Sequence, residues 1–266
     1  MKKVFGRVFL TIIIVISFVQ TAAAGPVMDQ ILKKGELLVG ITGEQPPLNA
    51  LSKSGEIIGM DADIARMIAK GLGVRLEFKS MPFNDLLPAV ENGKIDMILS
   101  SMTITPQRNR KLAFVGPYYM SGKGLLTKSK NLKNMQKPEA LNDSGISIAV
   151  LKDSTSQTFA EQTTSRAKIV KTESYDAAIG MLLVDKVDAV IADFPFCAFT
   201  AYRYRDKGIV AGESPISFEP LGIVVAEDAL MINWLENFIN MLKGTGLLNK
   251  IHARWFKDSS WIKDVR

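Results

Sequence analysis

Beyond residue 25, the sequence alternates between predicted strands and predicted helices, and this alternation starts again after Ser121-Gly122. In the first half, the apolar segment Glu36–Ile41 predicts a strand and Asp61–Lys70 predicts an amphipathic helix. In the second half, Gly145–Leu151 predicts a strand and Ser154–Thr163 a helix. Two such stretches indicate two α/β lobes. A cleft between lobes is a common place for a ligand site.

A run of hydroxyl side chains follows the apolar segment Ile95–Leu99, which predicts a buried strand. Ser100, Ser101 and Thr103 come first, and Arg108 follows. Ligands of open α/β sheets bind outside the carboxyl ends of strands. Hydroxyls and backbone groups can hold an ammonium, and a guanidinium can hold a carboxylate. The run therefore suits a zwitterion such as an amino acid. From this segment alone, a helix cap followed by a solvated arginine is an equally open interpretation.

The first residues predict a secretory signal peptide spanning residues 1–24. Basic residues precede the apolar run Val8–Val19, and the small residues Ala22–Ala24 precede Gly25. An uncleaved anchor is the alternative, but the apolar run is short for a membrane span. No cysteine lies near the cleavage point, so we expect a periplasmic protein without a lipid anchor. The only cysteine, Cys197, lies in an apolar segment and is expected to be buried.

Charge and composition exclude several classes of partner. The formal net charge is +6, of which the predicted signal peptide carries +3. The remaining basic residues are scattered, so we expect no nucleic-acid partner. One histidine and one cysteine leave no nitrogen and sulfur cluster for zinc. We therefore expect neither a metal nor a cofactor.

Six motifs resemble, in their order along the chain, those of periplasmic polar amino-acid-binding proteins. The motifs are Gly59–Ala65, Phe83 with Leu86–Val90, Leu99–Arg108, Tyr118-Tyr119 with Gly122, Leu151 with Ser154-Thr155, and Asp188–Asp193. These proteins, bacterial solute-binding protein family 3, are the solute receptors of ABC importers. Met60 and Ala62 depart from the residues that the family usually has in the first motif.

The resemblance implies a two-lobed periplasmic-binding-protein-like α/β fold of type II. Lobe 1 would comprise residues 25–119 and 221–266, and lobe 2 would comprise residues 120–220. Two hinge strands would join the lobes, which would close around the ligand.

The resemblance also implies an anion pole in the cleft. Arg108 would pair with the α-carboxylate of the ligand, since its planar guanidinium binds carboxylates through two hydrogen bonds. Thr155 and Ser154 would offer backbone N–H groups at a helix N-terminus. An ordinary helix cap is compatible with that role.

Asp193 would receive the α-ammonium at the opposite pole. The Ser101 carbonyl and the Thr103 hydroxyl would share the ammonium, and Ser100 would line the pocket. The structural alternative for Asp193 is a cap for the helix that follows it.

The residues that would line the pocket would determine which ligand side chain it accepts. Phe83 would cover the ligand side chain by apolar or cation–π contact, and Leu151 would face it across the cleft. Thr42 and Gln45 stand where many relatives have an acid and an aromatic residue, so they would line a more polar or looser pocket. Glu44 supplies a negative charge that faces either the cleft or solvent. We expect a polar amino acid, with basic ones favoured by the Ser-Ser-x-Thr run and Leu151.

The function implied is capture of an amino acid and delivery to an ABC permease by a monomer without catalytic residues. Two alternatives stay open. One is a cyclohexadienyl-dehydratase-like enzyme on the same fold, for which Glu44 and Glu173 are the candidate general acids. The other is a receptor subunit that senses the same ligand.

Overall fold

The computed structural model describes residues 25–133 and 141–266. The predicted signal peptide, residues 1–24, lies outside the described residues. Within the described part, no helix combines the length and apolar character that a membrane span requires.

The described residues form thirteen strands and nine α-helices. The strands are β1 (Glu36–Ile41), β2 (Glu44–Gln45), β3 (Asn49–Leu51), β4 (Ile57–Ile58), β5 (Arg75–Ser80), β6 (Met97–Ile98), β7 (Ala113–Ser121), β8 (Lys123–Thr127), β9 (Ser147–Leu151), β10 (Lys168–Thr172), β11 (Ala189–Asp193), β12 (Val210–Ala211) and β13 (Glu219–Val225). The helices are α1 (Pro26–Lys34), α2 (Met60–Leu72), α3 (Phe83–Glu91), α4 (Lys130–Lys133), α5 (Thr155–Thr163), α6 (Tyr175–Leu183), α7 (Phe194–Arg203), α8 (Ala229–Gly244) and α9 (Leu247–Phe256).

Two five-stranded sheets organise the molecule, in the orders β5-β1-β6-β13-β7 and β10-β9-β11-β8-β12. In each sheet the first three strands in this order pair in parallel, and the last two, which include the strand at the crossover, pair antiparallel. A third, small sheet has the order β2-β3-β4. This architecture confirms the predicted two-lobed α/β fold. The lobe boundaries at residues 119/120 and 220/221 stay a prediction.

The crossover between the large sheets is built around Gly122. Strand β7 ends at Ser121 and β8 begins at Lys123, so one residue separates strands of different sheets. A Cβ at Gly122 would lie 2.3 Å from the backbone oxygen of Ser217. Only glycine fits there without moving the second connection between the sheets.

The strand predicted over Ile95–Leu99 is shorter than expected. It forms only at Met97–Ile98. The helix that follows Asp193 begins at once, at Phe194, because Pro195 lies in its first turn, where a missing N–H is tolerated.

Helix α1 was not predicted, and a distant carboxylate accounts for its position. Asp228 Oδ2 accepts hydrogen bonds from the backbone N–H groups of Val27 at 2.7 Å and Met28 at 3.0 Å. Its Oδ1 accepts one from Met231 N at 2.9 Å in the first turn of α8. One buried side chain therefore satisfies the N-termini of two helices.

A hydrophobic cluster connects the two large sheets. Phe83 and Met102, next to the first sheet, belong to the same cluster of buried residues as Leu151, Tyr175 and Phe196. Cys197 is also part of this cluster and is fully buried. The two lobes are therefore packed against each other around the segments that carry the candidate site.

Candidate functional site

Arg108 lies in a 3-10 turn, Arg108–Arg110, and its half-buried side chain reaches across the cleft. Nη1 donates a hydrogen bond to the carbonyl oxygen of Thr103 at 3.0 Å, and Nη2 donates to that of Asp153 at 3.5 Å. The guanidinium carbon lies 5.7 Å from the ring centre of Phe83. Arg108 is thus held in place by both lobes and by an aromatic face.

The electrostatic setting of Arg108 includes carboxylates from two strands. Burial lowers the pKa of its guanidinium, while the negative charges of Glu219 and Asp193 act in the opposite direction. Arg108 and these acids therefore lie within reach of one another's charge. Glu219 was not among the residues predicted from the sequence.

The N-terminus of α5 lies beside Arg108. Ser154 is the N-cap residue, and its hydroxyl accepts a hydrogen bond from Gln157 N at 3.2 Å and donates to Leu151 O at 2.6 Å. The hydroxyls of Thr155 and Thr103 are 3.2 Å apart and link the two lobes. Arg108, Ser154 and Thr155 line a cavity of about 1180 Å³. A guanidinium and a helix N-terminus side by side can hold an anion.

Asp193 ends β11 and is almost completely buried. Its Oδ1 is 2.7 Å from Lys123 Nζ, and its Oδ2 accepts a hydrogen bond from Gln45 Nε2 at 3.5 Å. Although Asp193 is the N-cap residue of α7, its side chain makes no capping hydrogen bond. The carboxylate therefore forms a buried ion pair with Lys123 rather than a helix cap.

Lys123 is the main residue that the sequence reasoning missed. It lies directly opposite Asp193 in the antiparallel pair β8–β11, and its side chain is 2% exposed. Glu219 Oε2 lies 3.5 Å from the same Nζ. The signal in the sequence was the position of this lysine directly before the apolar segment Gly124–Leu126.

Hydrogen bonds with Thr42 and Asp61 hold the hydroxyl run that follows β6. Ser100 Oγ accepts a hydrogen bond from Thr42 N at 3.0 Å and donates to Thr42 Oγ1 at 3.3 Å. Ser101 has a left-handed backbone with φ of 54°. Asp61 Oδ2 holds it by accepting hydrogen bonds from its N–H at 2.9 Å and its hydroxyl at 3.2 Å. A strained residue at a candidate ligand contact is typical of functional sites.

Asp61 is the centre of a buried polar network. Its carboxylate also accepts hydrogen bonds from Asn49 Nδ2 and the Tyr118 hydroxyl, both at 2.8 Å. Burial raises the pKa of Asp61 to about 6, and the hydrogen bonds from Asn49, Tyr118 and Ser101 partly oppose that rise. This explains the role of the first motif, since Asp61 positions the hydroxyl run rather than touching the cleft itself.

Glu44 is exposed and lines a cavity of about 710 Å³ together with Thr42 and, from the second lobe, Asp176. Desolvation raises the pKa of Glu44, and the charge of Asp176 adds to the effect. Glu173 is also exposed; it pairs with Lys152 at 3.1 Å and is not among the residues that line this cavity.

Phe83, Leu151 and Gln45 are all buried. Phe83 and Leu151 belong to one hydrophobic cluster and come from opposite lobes. Gln45 is 2% exposed, and its Oε1 accepts no hydrogen bond from any residue in the described part of the chain. The three positions therefore combine two apolar side chains with one buried amide.

A family model described as bacterial extracellular solute-binding proteins, family 3, matches residues 37–258. The chain is 32% identical to the L-arginine-binding protein of Pseudomonas aeruginosa over 227 residues, which cover 82% of this chain and 86% of that protein. A putative binding component of an ABC transporter from Wolinella succinogenes, complexed with lysine, has a TM-score of 0.82 at 29% identity, covering 86% of this chain and 99% of that one.

A second solved structure is an ancestral amino-acid-binding protein that is a precursor of cyclohexadienyl dehydratase. It has a TM-score of 0.78 at 32% identity and covers 86% of this chain and 99% of that chain. The resemblance inferred from the six motifs is confirmed. This chain belongs to family 3 of the bacterial extracellular solute-binding proteins.

Proposed function

We propose that this protein captures a polar amino acid in the cleft between its lobes and delivers it to an ABC permease, without chemical change. The observation that carries the proposal is the meeting of opposite charges from both lobes. Arg108 of the first lobe lines one cavity with the N-terminus of α5 from the second lobe, and the negative charges of Glu219 and Asp193 act on its guanidinium. A small zwitterion has the matching charges.

The roles within the site follow from this arrangement. Arg108 and the N–H groups near Thr155 hold the α-carboxylate, and Asp193 holds the α-ammonium. The Ser101 carbonyl and the Thr103 hydroxyl contribute to the ammonium pole. Phe83 covers the side chain of the ligand.

Ser100, Thr42, Gln45 and Leu151 complete the pocket around that side chain. Relatives described as binding arginine and lysine support a basic amino acid as the ligand. The cavity that Glu44 and Asp176 line also has Arg203 and Arg266 in its wall, so its charges do not by themselves select a cation.

The lobes in this proposal comprise residues 25–119 with 221–266, and residues 120–220. They close on the ligand by bending where β7 passes into β8 and where the chain enters β13. The protein acts as a periplasmic monomer after removal of residues 1–24. Its partner is the permease of the inner membrane.

Thermal unfolding of the chain from Gly25 onward, measured with each of the twenty amino acids, tests the proposal. A ligand at a hundred times its Kd adds about 2.7 kcal/mol to the free energy of unfolding. We expect a clear rise in Tm for a small set of polar amino acids and for no others. A chain whose Tm responds to none of the twenty does not have this function.

A dehydratase activity is the second candidate, because one similar structure is that of a precursor of such an enzyme. A general acid with a raised pKa is what the elimination needs, and the pKa of Glu44 is raised. Incubation with prephenate, with and without Glu44→Gln, distinguishes the candidates. Turnover that Glu44→Gln abolishes would replace the binding proposal with the enzymatic one.

A role in sensing the same ligand differs from the proposed role in the membrane protein that this chain would bind. A receptor subunit would bind a membrane sensor, whereas the proposed protein restores amino-acid uptake by vesicles that contain its permease. Uptake in such vesicles is therefore the decisive measurement.

A further inference from the structure

Lys123 is a basic side chain buried beside Asp193, within the candidate ammonium pole. Its side chain is 2% exposed, and Nζ lies 2.7 Å from Asp193 Oδ1. A buried lysine is costly unless carboxylates compensate its charge. Asp193 alone could do so, but the ligand ammonium requires that same carboxylate.

Glu219 supplies a second buried carboxylate. It lies at the start of β13, opposite Ser121 in β7, and is 8% exposed. Ser217 Oγ donates a hydrogen bond to its Oε1 at 3.4 Å. Its Oε2 accepts no hydrogen bond from any described residue and lies 3.5 Å from Lys123 Nζ. Lys123 is thus placed between two acids, one in the cleft and one on the strand between the lobes.

The formal charges of Lys123, Asp193 and Glu219 give the net charge of the ammonium pole. Lys123 contributes one positive charge, and Asp193 and Glu219 each contribute one negative charge. The pole therefore carries one net negative charge, which is the charge needed by one ammonium. With the positive charge of Arg108, the four residues together carry no net charge. A ligand with one α-carboxylate and one α-ammonium therefore leaves the site electrically neutral.

We propose that Lys123 and Glu219 are specificity-determining residues, which together hold the ammonium pole at one negative charge. The cleft then requires one α-ammonium on its ligand, whatever the side chain. This inference rests on the proposed function, and it adds two residues that do not themselves need to touch the ligand.

Changing either residue alone shifts the charge of the pole in opposite directions. Lys123→Met leaves two carboxylates and a charge of −2, so the need for an ammonium becomes stronger. Glu219→Gln leaves the Lys123–Asp193 pair and a charge of zero, so the need becomes weaker. The double variant restores a charge of −1.

The two ligands are the amino acid with the largest Tm rise and the 2-hydroxy acid with the same side chain. The measured quantity is the Kd of the 2-hydroxy acid divided by the Kd of the amino acid, both determined by calorimetry at pH 8. Because a hydrogen bond to a charged group contributes more than one to a neutral group, we expect Lys123→Met to raise the ratio about tenfold or more. Glu219→Gln should lower it about tenfold, and the double variant should return it near the wild-type value.

Two controls isolate the charge. Lys123→Arg keeps the charge and should keep the ratio. Lys171→Met removes a lysine from an exposed pair with Glu161 at 2.9 Å in the same lobe, and should also leave the ratio unchanged.

The outcomes separate the inference from the function on which it rests. If the wild-type protein binds no amino acid, both are wrong. If it binds one and the ratio is the same in all variants, only the inference is wrong. Glu219→Gln keeps a paired lysine and is expected to fold, so its ratio decides the question if Lys123→Met does not fold.

Discussion

Asp61 accepts two hydrogen bonds from Ser101, one from its backbone N–H at 2.9 Å and one from its hydroxyl at 3.2 Å. These contacts fix a left-handed residue at the end of the strand that leads into the site. The hydroxyl run that contains Ser101 is thus held by the Asp61 carboxylate, which itself has no direct part in ligand capture.

The stability of the protein should depend on the protonation of Asp61. Its pKa is raised from 3.8 to about 6 in the folded state. The folded state therefore binds a proton more tightly than the unfolded state does. The contribution of Asp61 to stability is largest below pH 4 and is lost as the pH rises from about 4 through about 6.

This predicts that the wild-type protein loses stability relative to Asp61→Asn over that pH range. A shift of this size corresponds to roughly 3 kcal/mol. Urea unfolding of both proteins between pH 4 and pH 8 measures the difference. A difference that stays constant with pH would show that Asp61 titrates normally.

Arg108→Ala should weaken amino-acid binding by about two orders of magnitude or more, because it removes a charged, bidentate partner of the carboxylate. Calorimetry with the preferred amino acid measures the effect. Arg205→Ala is the matched control, since Arg205 also begins a 3-10 turn, is exposed and does not line the cavity around Arg108. Equal Kd values for the two variants would contradict the assignment of the anion pole.

Gly59→Ala should destabilise the fold severely. Gly59 has φ of 125°, and an added Cβ would lie 2.3 Å from the carbonyl oxygen of Leu48. Backbone strain and overlap together predict a loss of about 3 kcal/mol or more in the free energy of unfolding.

Gly55→Ala provides the comparison for that variant. Gly55 also has a positive φ, of 85°, but nothing lies within 4 Å of its added Cβ. Only the backbone term applies there, so we expect a loss of about 1–2 kcal/mol. Urea unfolding that gives similar losses at both positions would show that the contact with Leu48 is relieved.

Cys197 should be unreactive in the native protein. It is fully buried, and burial, with a smaller effect from Asp193, raises the pKa of its thiol. We expect an aromatic disulfide reagent to modify it at least about a hundred times more slowly in buffer than in 8 M urea. Native protein labelled within the mixing time would disprove the burial.

The sequence was sufficient to predict the fold, because the fold depends on local patterns: alternating strands and helices predicted two lobes. The site residues were assigned from the resemblance, and the structure brings Arg108 and Thr155 to one cavity, while their roles toward a ligand stay a prediction. Lys123 escaped prediction because a single lysine in an apolar strand is normally exposed at an edge. Its burial depends on Asp193, seventy positions away in the sequence, and on Glu219. Such a charge set exists only once three strands have been brought together.

The inaccessible thiol of Cys197 gives the chain a practical property. It is the only cysteine in the sequence and is sequestered in the folded protein. Cysteines introduced on the surfaces of the two lobes can therefore carry a donor and an acceptor dye with little background from the natural one. The natural sequence therefore needs no cysteine removed before the proposed closure of the lobes is measured on single molecules.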